Sequence, residues 1–249
     1  FATHSPYFVL PHQFESLRRF RMAAGASTLR SATVSQIVTA ANSDLATVHR
    51  HMERELPHTF SEGFFADAVL LVEGDTDRVV MEAIAARLGK PFDGGGIPVL
   101  AAGGKDGLRI PYEILQSLGI DVYVLADGDG LGAQRKHPAD PTLKASVHAS
   151  HKLATDKLLS WLPPSIPVLG SLPCSFCSPT TVTSRWTVLH DDLEEELSKW
   201  PQFMSELNTI GGQLRSKNVA AYRSAALSAV LVGLPSVLSD LIDAMTSFA

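Results

Sequence analysis

The apolar run Ala68-Val69-Leu70-Leu71-Val72 is followed at once by Glu73-Gly74. Five apolar residues bounded by turn residues are typical of a strand that is buried on both faces of a parallel sheet. Helical spacing then extends over residues 77–88 and stops at Gly89, a residue that commonly follows the last turn of a helix. The segment therefore predicts a strand, a turn that carries an acid, and a helix.

The same grammar continues along the chain. Strands are predicted at 97–101, 122–126 and 185–189, and a helix at 106–118. Strands that alternate with helices favour βαβ units. We therefore expect an α/β fold, with a Rossmann-like, mostly parallel sheet flanked by helices and an additional helical region.

Other segments are less regular. The stretch 163–184 is rich in Pro, Ser and Thr, and we expect it to be an irregular insertion. Further helices are predicted over the remaining segments, with Ser43-Asp44 as a start signal and Pro201 as an end or a kink: parts of 12–56, then 142–162, 191–200, 218–232 and 235–248.

Composition limits the class of protein. Hydrophobic residues make up 45% of 249 residues, which is enough for a core. The net charge of −5 disfavours a simple basic nucleic-acid coat but does not exclude a nuclease, because carboxylates that hold cations count as negative. No apolar run is long enough to span a membrane, and two cysteines suit a reducing cytoplasm. Without an initiator Met, the chain is expected to be a piece of a longer protein.

Acidic residues follow three of the predicted strands. Glu73 and Asp77 lie beyond the first, Asp127 and Asp129 beyond the third, and the cluster 191–196 beyond the fourth. The carboxyl ends of parallel strands share one edge of a sheet, where converging acids would repel one another. Mg²⁺ or Mn²⁺ would remove that repulsion, and four or more carboxylates can hold two ions. The alternative for the Asp-x-Asp pair is a solvated turn.

The sequence resembles a known family at these same positions. Leu71-Val72-Glu73-Gly74-Asp75-Thr76-Asp77, then Gly103-Gly104-Lys105 and Leu125-Ala126-Asp127-Gly128-Asp129, are similar to a Toprim domain, most of all that of the OLD (overcoming lysogenization defect) family of nucleases. Phe64-Phe65-Ala66-Asp67 is similar to that family's lead-in to the first strand. Thr3-His4-Ser5-Pro6 resembles the switch-histidine loop of an ABC-type ATPase. The resemblance covers residues 64–130 closely.

The resemblance implies an arrangement of domains. Residues 1–63 would be the end of the ABC-type ATPase region and a helical linker. Residues 64–210 would be the Toprim catalytic domain, with the insertion at 163–184, and residues 211–249 would be C-terminal helices that complete the nuclease region. The ATPase portion of the full-length protein would be a partner. Gly103-Gly104-Lys105 is not a full P-loop, so no complete ATP site is expected in this chain.

The resemblance also implies an activity and its residues. The chain would be an endonuclease that nicks or cleaves DNA with two divalent ions, Mg²⁺ or Mn²⁺. Lys217 would neutralise charge in the transition state, and Glu73 would act beside it as a catalytic residue. Asp75 belongs to the motif string, with a helix cap as its alternative role. The implied metal ligands are Glu73, Asp77, Asp127, Asp129 and, from the acidic cluster, Glu194.

Two other functions remain open. A topoisomerase or primase would use the same fold, but a topoisomerase needs a tyrosine nucleophile, and only Tyr7, Tyr112, Tyr123 and Tyr222 are present. A non-catalytic metal-binding module that contacts DNA is the second.

Several polar residues have both a functional and a plain interpretation. Lys105, Arg135 and Lys136 would contact DNA phosphates or lie in solvated loops. Cys174-x-x-Cys177 lacks the two further ligands that a zinc site needs at matching spacing. His148 and His151 favour a solvated helix face. A homo-oligomer formed through the terminal helices is left open.

Overall fold

A six-stranded sheet forms the centre of the structure, a computed structural model that describes residues 2–23, 26–56, 58–170 and 175–248. Its order is β4-β3-β5-β8-β7-β6. A separate antiparallel hairpin is formed by β1 and β2. The strands are β1 Arg19–Ala23, β2 Ala26–Arg30, β3 Ala68–Val72, β4 Val99–Ala101, β5 Asp121–Ala126, β6 Pro167–Leu169, β7 Thr181–Thr183 and β8 Trp186–Val188.

The four strands β4, β3, β5 and β8 are parallel, with Leu70 beside Tyr123 and Val124 beside Trp186. Strands β7 and β6 extend the sheet in the antiparallel direction. All five residues of β3 are buried, as its apolar run predicts. The mixed, mostly parallel sheet flanked by helices confirms the predicted fold class.

Ten helices accompany the strands in the described part of the chain: α1 Val34–Ala41, α2 Leu45–Arg50, α3 Asp75–Arg87, α4 Arg109–Ser117, α5 Gly132–Lys136, α6 Pro141–Leu159, α7 Leu193–Ser198, α8 Pro201–Thr209, α9 Val219–Ser228 and α10 Ser236–Phe248. Short 3₁₀ segments lie at Pro6–Phe8, Pro11–Ser16, His58–Phe65, Asp93–Gly95 and Lys105–Gly107, and a π-helical turn at His51–Glu55.

The sheet separates two apolar cores, because successive strand residues point to opposite faces. Leu71 and Val124 pack on one face with helix α4 and the N-terminal segments. Leu70 and Leu125 pack on the other face with α3 and the C-terminal helices α8 to α10. The additional helices therefore complete one of the cores and hold the carboxyl edge of the sheet in place.

Three local expectations differ from the structure. The segment expected to be irregular contains β6 and β7, and the N-terminal segment with helical spacing contains the β1–β2 hairpin. Pro201 begins α8, where a missing N–H costs nothing, so it does not simply end the preceding helix. The helix start at Ser43-Asp44 is confirmed, since the Asp44 side chain accepts the Thr47 N–H at 2.8 Å. Among the described residues, no helix is both long and apolar enough to cross a membrane.

Candidate metal centre

The carboxyl ends of β3, β5 and β8 are tied together by backbone groups. The Asp127 N–H donates to Oε1 of Glu73 at 2.8 Å, and the Leu193 N–H donates to Oδ1 of Asp127 at 3.1 Å. Acids that are 54 residues apart in the chain thus meet directly. We call this edge of the sheet, with Glu73, Asp77, Asp127, Asp129 and Glu194, the acidic rim.

A glycine makes the contact between the β5 and β8 loops close enough. A Cβ at Gly128 would lie 2.1 Å from the carbonyl oxygen of Leu189, so any side chain would push the loops apart. The N–H groups of Gly128 and Asp129 both donate to the Asp191 carbonyl, at 2.8 and 3.1 Å. Asp129 itself has a φ of 57°, a left-handed conformation that Asp tolerates. The Asp-x-Asp pair is therefore a tightly held turn.

The Gly103-Gly104 turn brings a lysine to the acidic rim. Gly104 has a φ of 116°, and its N–H donates to the Glu73 carbonyl at 2.8 Å. The next residue, Lys105, is 8% exposed and forms an ion pair with Asp129. Its Nζ also lies 3.2 Å from Oγ1 of Thr155. In this state Lys105 neutralises one rim carboxylate.

Asp77 has a local structural partner. Its Oδ2 accepts the Gly74 N–H at 2.8 Å and so caps the start of α3. Asp75, for which capping was the alternative role, is exposed and pairs with Arg78 at 3.1 Å. The cap is thus formed by Asp77, a residue that the resemblance implies as a ligand.

Glu194 and Lys217 form the other side of the acidic rim. Lys217 Nζ lies 2.8 Å from Oε1 of Glu194, whose side chain is 1% exposed, whereas that of Lys217 is 63% exposed. The second oxygen, Oε2 of Glu194, is buried and has no hydrogen-bond partner. A buried carboxylate oxygen without a donor is costly, and a cation would satisfy it.

The electrostatics of the rim reflect crowded negative charge. Burial raises the pKa of Glu73 to about 7, against the opposing effect of Lys105. Burial raises the pKa of Asp77 to about 6. Burial and then the charge of Glu73 raise the pKa of Asp127 well above its ordinary value. Burial would lower the pKa of Lys217, but the hydrogen bond to Glu194 and the nearby acids raise it to about 12. Such a site favours a bound cation.

A second layer of ion pairs supports the acidic rim. Arg215 donates to both carboxylate oxygens of Asp192 at 3.1 Å, and Asp192 caps α7 through the Glu195 N–H at 2.8 Å. Arg135 pairs with Asp192 at 2.6 Å and also with Asp191. These contacts hold the loop before Lys217 against the helix that carries Glu194. The sequence offered no signal for this network, since its pairs are 20 or more residues apart.

Other residues singled out from the sequence lie away from this chemistry. Lys136 is exposed near His151, whose ring also approaches the Asp129 carbonyl at 3.4 Å. His148 contacts the ring of Phe176. Cys177 is an exposed free cysteine, and Cys174 lies outside the described residues.

The donor set of the rim fits a hard divalent cation. Carboxylate oxygens are the ligands that Mg²⁺ and Mn²⁺ prefer, and one of them is buried without a partner. Within the described ranges, no three His, Cys, Asp or Glu side chains are grouped as a ready-made metal site. The acids are held by N–H groups and lysines of the chain itself. A cation would therefore have to replace those partners.

Comparison with known proteins places the rim in a family. The model for "Overcoming lysogenization defect protein-like, TOPRIM domain" matches residues 64–129. The structure is similar to the C-terminal region of the Burkholderia pseudomallei OLD protein, with a TM-score of 0.46 and 19% identity, over 74% of this chain and 100% of that one. For the same region of the Xanthomonas campestris pv. campestris OLD protein, the TM-score is 0.44 and the identity 19%, over 75% and 95% of the two chains. No curated protein matches the chain.

Proposed function

Residues 64–129 are an OLD-like Toprim domain, and from that premise we propose that the chain is a metal-dependent endodeoxyribonuclease that nicks and cleaves DNA with Mg²⁺ or Mn²⁺. The ATPase region of a longer OLD-like protein would be its partner. The proposal concerns the reaction, the ions and the substrate, which go beyond the family match.

The observation that carries the proposal is the direct contact between Glu73 and the backbone of Asp127. It joins the ends of two neighbouring parallel strands and leaves both carboxyl groups beside Asp77, Asp129 and Glu194, as the mutual effects on their pKa values indicate. Acids whose pKa values are raised by burial and by one another are typical of functional sites.

Each residue has a role that follows from its position. Glu73, Asp77, Asp127, Asp129 and Glu194 would hold two ions. Bound divalent ions supply positive charge that activates water and stabilises a phosphodiester under attack. Lys217, most of whose side chain is exposed, would face the DNA phosphate once its partner Glu194 turns to an ion. A cation beside the transferring phosphate stabilises the charge that develops in the transition state.

A plasmid nicking assay with Mg²⁺ or Mn²⁺ tests the activity. We expect Asp127→Ala to abolish the conversion of supercoiled plasmid into open circles. Asp121→Ala is the matched control, because Asp121 is exposed at the opposite end of the same strand, and it should keep wild-type activity. Wild-type nicking by Asp127→Ala would refute the proposal.

The tyrosines do not favour the topoisomerase alternative. Tyr112, Tyr123 and Tyr222 are all buried. The hydroxyl of Tyr123 is bonded to Thr187, and that of Tyr222 accepts the Arg215 N–H at 2.5 Å. Only Tyr7 is exposed, and it lies on a 3₁₀ turn outside the acidic rim. None of them is placed as a nucleophile beside the rim.

A further inference from the structure

A cleft of about 320 Å³ lies beside the acidic rim. Three walls enclose it: the end of α1 with α2, the loop that follows β4, and one side of α6 with the residues after it. Its volume is at the lower end of the range for small-molecule sites, which suits one nucleotide but not a duplex.

The charge of the cleft is opposite to that of the chain. Four cationic side chains line it, those of Arg50, Lys105, Arg109 and Lys157, against a single carboxylate, Asp106. The whole chain has a net charge of −5. A local excess of positive charge in a concave site attracts anions, above all phosphates.

The cations at the mouth of the cleft are accessible. Arg50 and Lys157 are both exposed. Lys157 pairs with Asp106 at 3.0 Å, but the two side chains are 59% and 74% exposed. An ion pair between exposed groups is worth little, so a phosphate could replace Asp106 at small cost.

The inner part of the cleft is apolar and aromatic. Ile110, Leu158 and Trp161 line it, and the Trp161 ring packs on Tyr112 with 5.1 Å between centroids. Aromatic rings that are fixed by such packing offer a surface on which a base can stack. Cations at the mouth and an aromatic wall within are the features that bind a single strand.

One residue connects the cleft to the acidic rim. Lys105 lines the cleft, while its Nζ contacts Asp129 and Thr155. Thr155 on α6 also donates to the Gly128 carbonyl at 3.1 Å, and its neighbour Ala154 lines the cleft. A strand with one phosphate at the rim can thus reach the cleft with an adjacent nucleotide.

We propose that this cleft holds a nucleotide of single-stranded DNA next to the phosphate at the acidic rim, with its phosphate against Arg50 and Lys157 and its base against Trp161. The inference rests on the proposed function for the identity of the strand. It adds that the preferred substrate has an unpaired nucleotide beside the cut.

Strand binding is measured by fluorescence anisotropy with the 249-residue chain, a labelled 12-nucleotide single strand and EDTA. We expect Lys157→Gln and Arg50→Gln each to raise Kd about tenfold, as for the loss of one hydrogen bond to a charged group. Each should also reduce the slope of log Kd against log salt by about 0.7, the value for one phosphate contact on a single strand.

Lys90→Gln is the matched control, because Lys90 also forms a surface ion pair, with Asp243, but follows the far end of α3. It should bind like wild type. Wild-type Kd in both cleft variants would overturn the proposal, as would an equal loss in all three variants.

A competition arm separates two sources of the same ligand chemistry. Deoxyadenosine 5′-monophosphate at millimolar concentration should leave the labelled strand bound, and a Trp161→Leu variant that melts like wild type should bind the strand more weakly. Displacement of the strand by the free nucleotide would overturn the proposal in favour of a mononucleotide site. Because EDTA prevents cleavage, failure of the nicking assay with normal strand binding would refute only the proposed function.

Discussion

Replacing Lys217 with Gln separates metal binding from catalysis. In the metal-free structure Lys217 Nζ is 2.8 Å from Oε1 of Glu194 and competes with any cation for that carboxylate. Because the lysine side chain is 63% exposed, the dielectric of water is the appropriate one, and Coulomb's law then gives about 1.5 kcal/mol for the pair. Removing the competitor should tighten Mn²⁺ binding by up to about tenfold.

The same substitution should slow cleavage. A glutamine cannot place a positive charge beside the phosphate, and loss of one group that stabilises the transition state costs about 10²–10³ in kcat. Isothermal titration with Mn²⁺ gives the affinity, and single-turnover plasmid nicking at saturating Mn²⁺ gives the rate. The expected signature of Lys217→Gln is tighter metal and slower chemistry in one protein.

The control for this experiment is Lys199→Gln. Lys199 Nζ is 2.9 Å from Oε1 of Glu196, on the same helix α7 as Glu194, with exposed fractions of 51% for the lysine and 6% for the glutamate. It should change neither quantity. Weaker Mn²⁺ binding or a wild-type nicking rate in Lys217→Gln would refute the assigned roles.

Three further predictions follow from the acidic rim. Asp127→Asn should reduce nicking by about 10²-fold or more yet raise the Tm of the metal-free protein by a few degrees, because it removes a buried charge; a lower Tm in EDTA would contradict this. Glu73 and Asp77, with pKa values raised to about 7 and 6, favour the folded state at low pH and lose that contribution as pH rises through those values, so Tm in EDTA should be higher at pH 5.5 than at pH 8, and Mn²⁺ binding at pH 6.5 should release protons in calorimetry with two buffers. Gly128→Ala would place a Cβ 2.1 Å from the Leu189 carbonyl oxygen and should cost about 1–3 kcal/mol in the free energy of unfolding, which a urea titration would measure.

The parallel centre of the sheet could be predicted because its signal is local. The run that becomes β3 is apolar throughout and buried throughout, and the helix after it begins and ends near its predicted limits. By contrast, β6 and β7 are three residues long and lie at the antiparallel edge of the sheet. Their pairing depends on partners that no local pattern encodes, so a Pro- and Ser-rich segment gave no indication of strands.

The acidic rim could be predicted in part for the same reason. Glu73 and Asp127 directly follow strong strand signals, so their meeting at one edge follows from the topology. Lys217 was assigned from resemblance alone, and the structure gives it a partner, Glu194, that lies 23 residues earlier. The ties of Arg135 and Arg215 to Asp192 depend on the packing of α5 and of the loop before α9 against the start of α7, which a single sequence does not reveal.

Metal binding at this rim is an exchange of partners. In the metal-free state Lys105 holds Asp129 and Lys217 holds Glu194, so two of the five acids are already neutralised by the chain. An ion that takes either carboxylate must release the lysine that held it. The released charge then lies beside the rim, where the phosphate of a nucleic acid would sit, since Lys105 also lines the neighbouring basic cleft. The same lysines that keep the empty rim stable would therefore become phosphate ligands only when ions arrive, and this couples substrate binding to metal occupancy without a change in the fold.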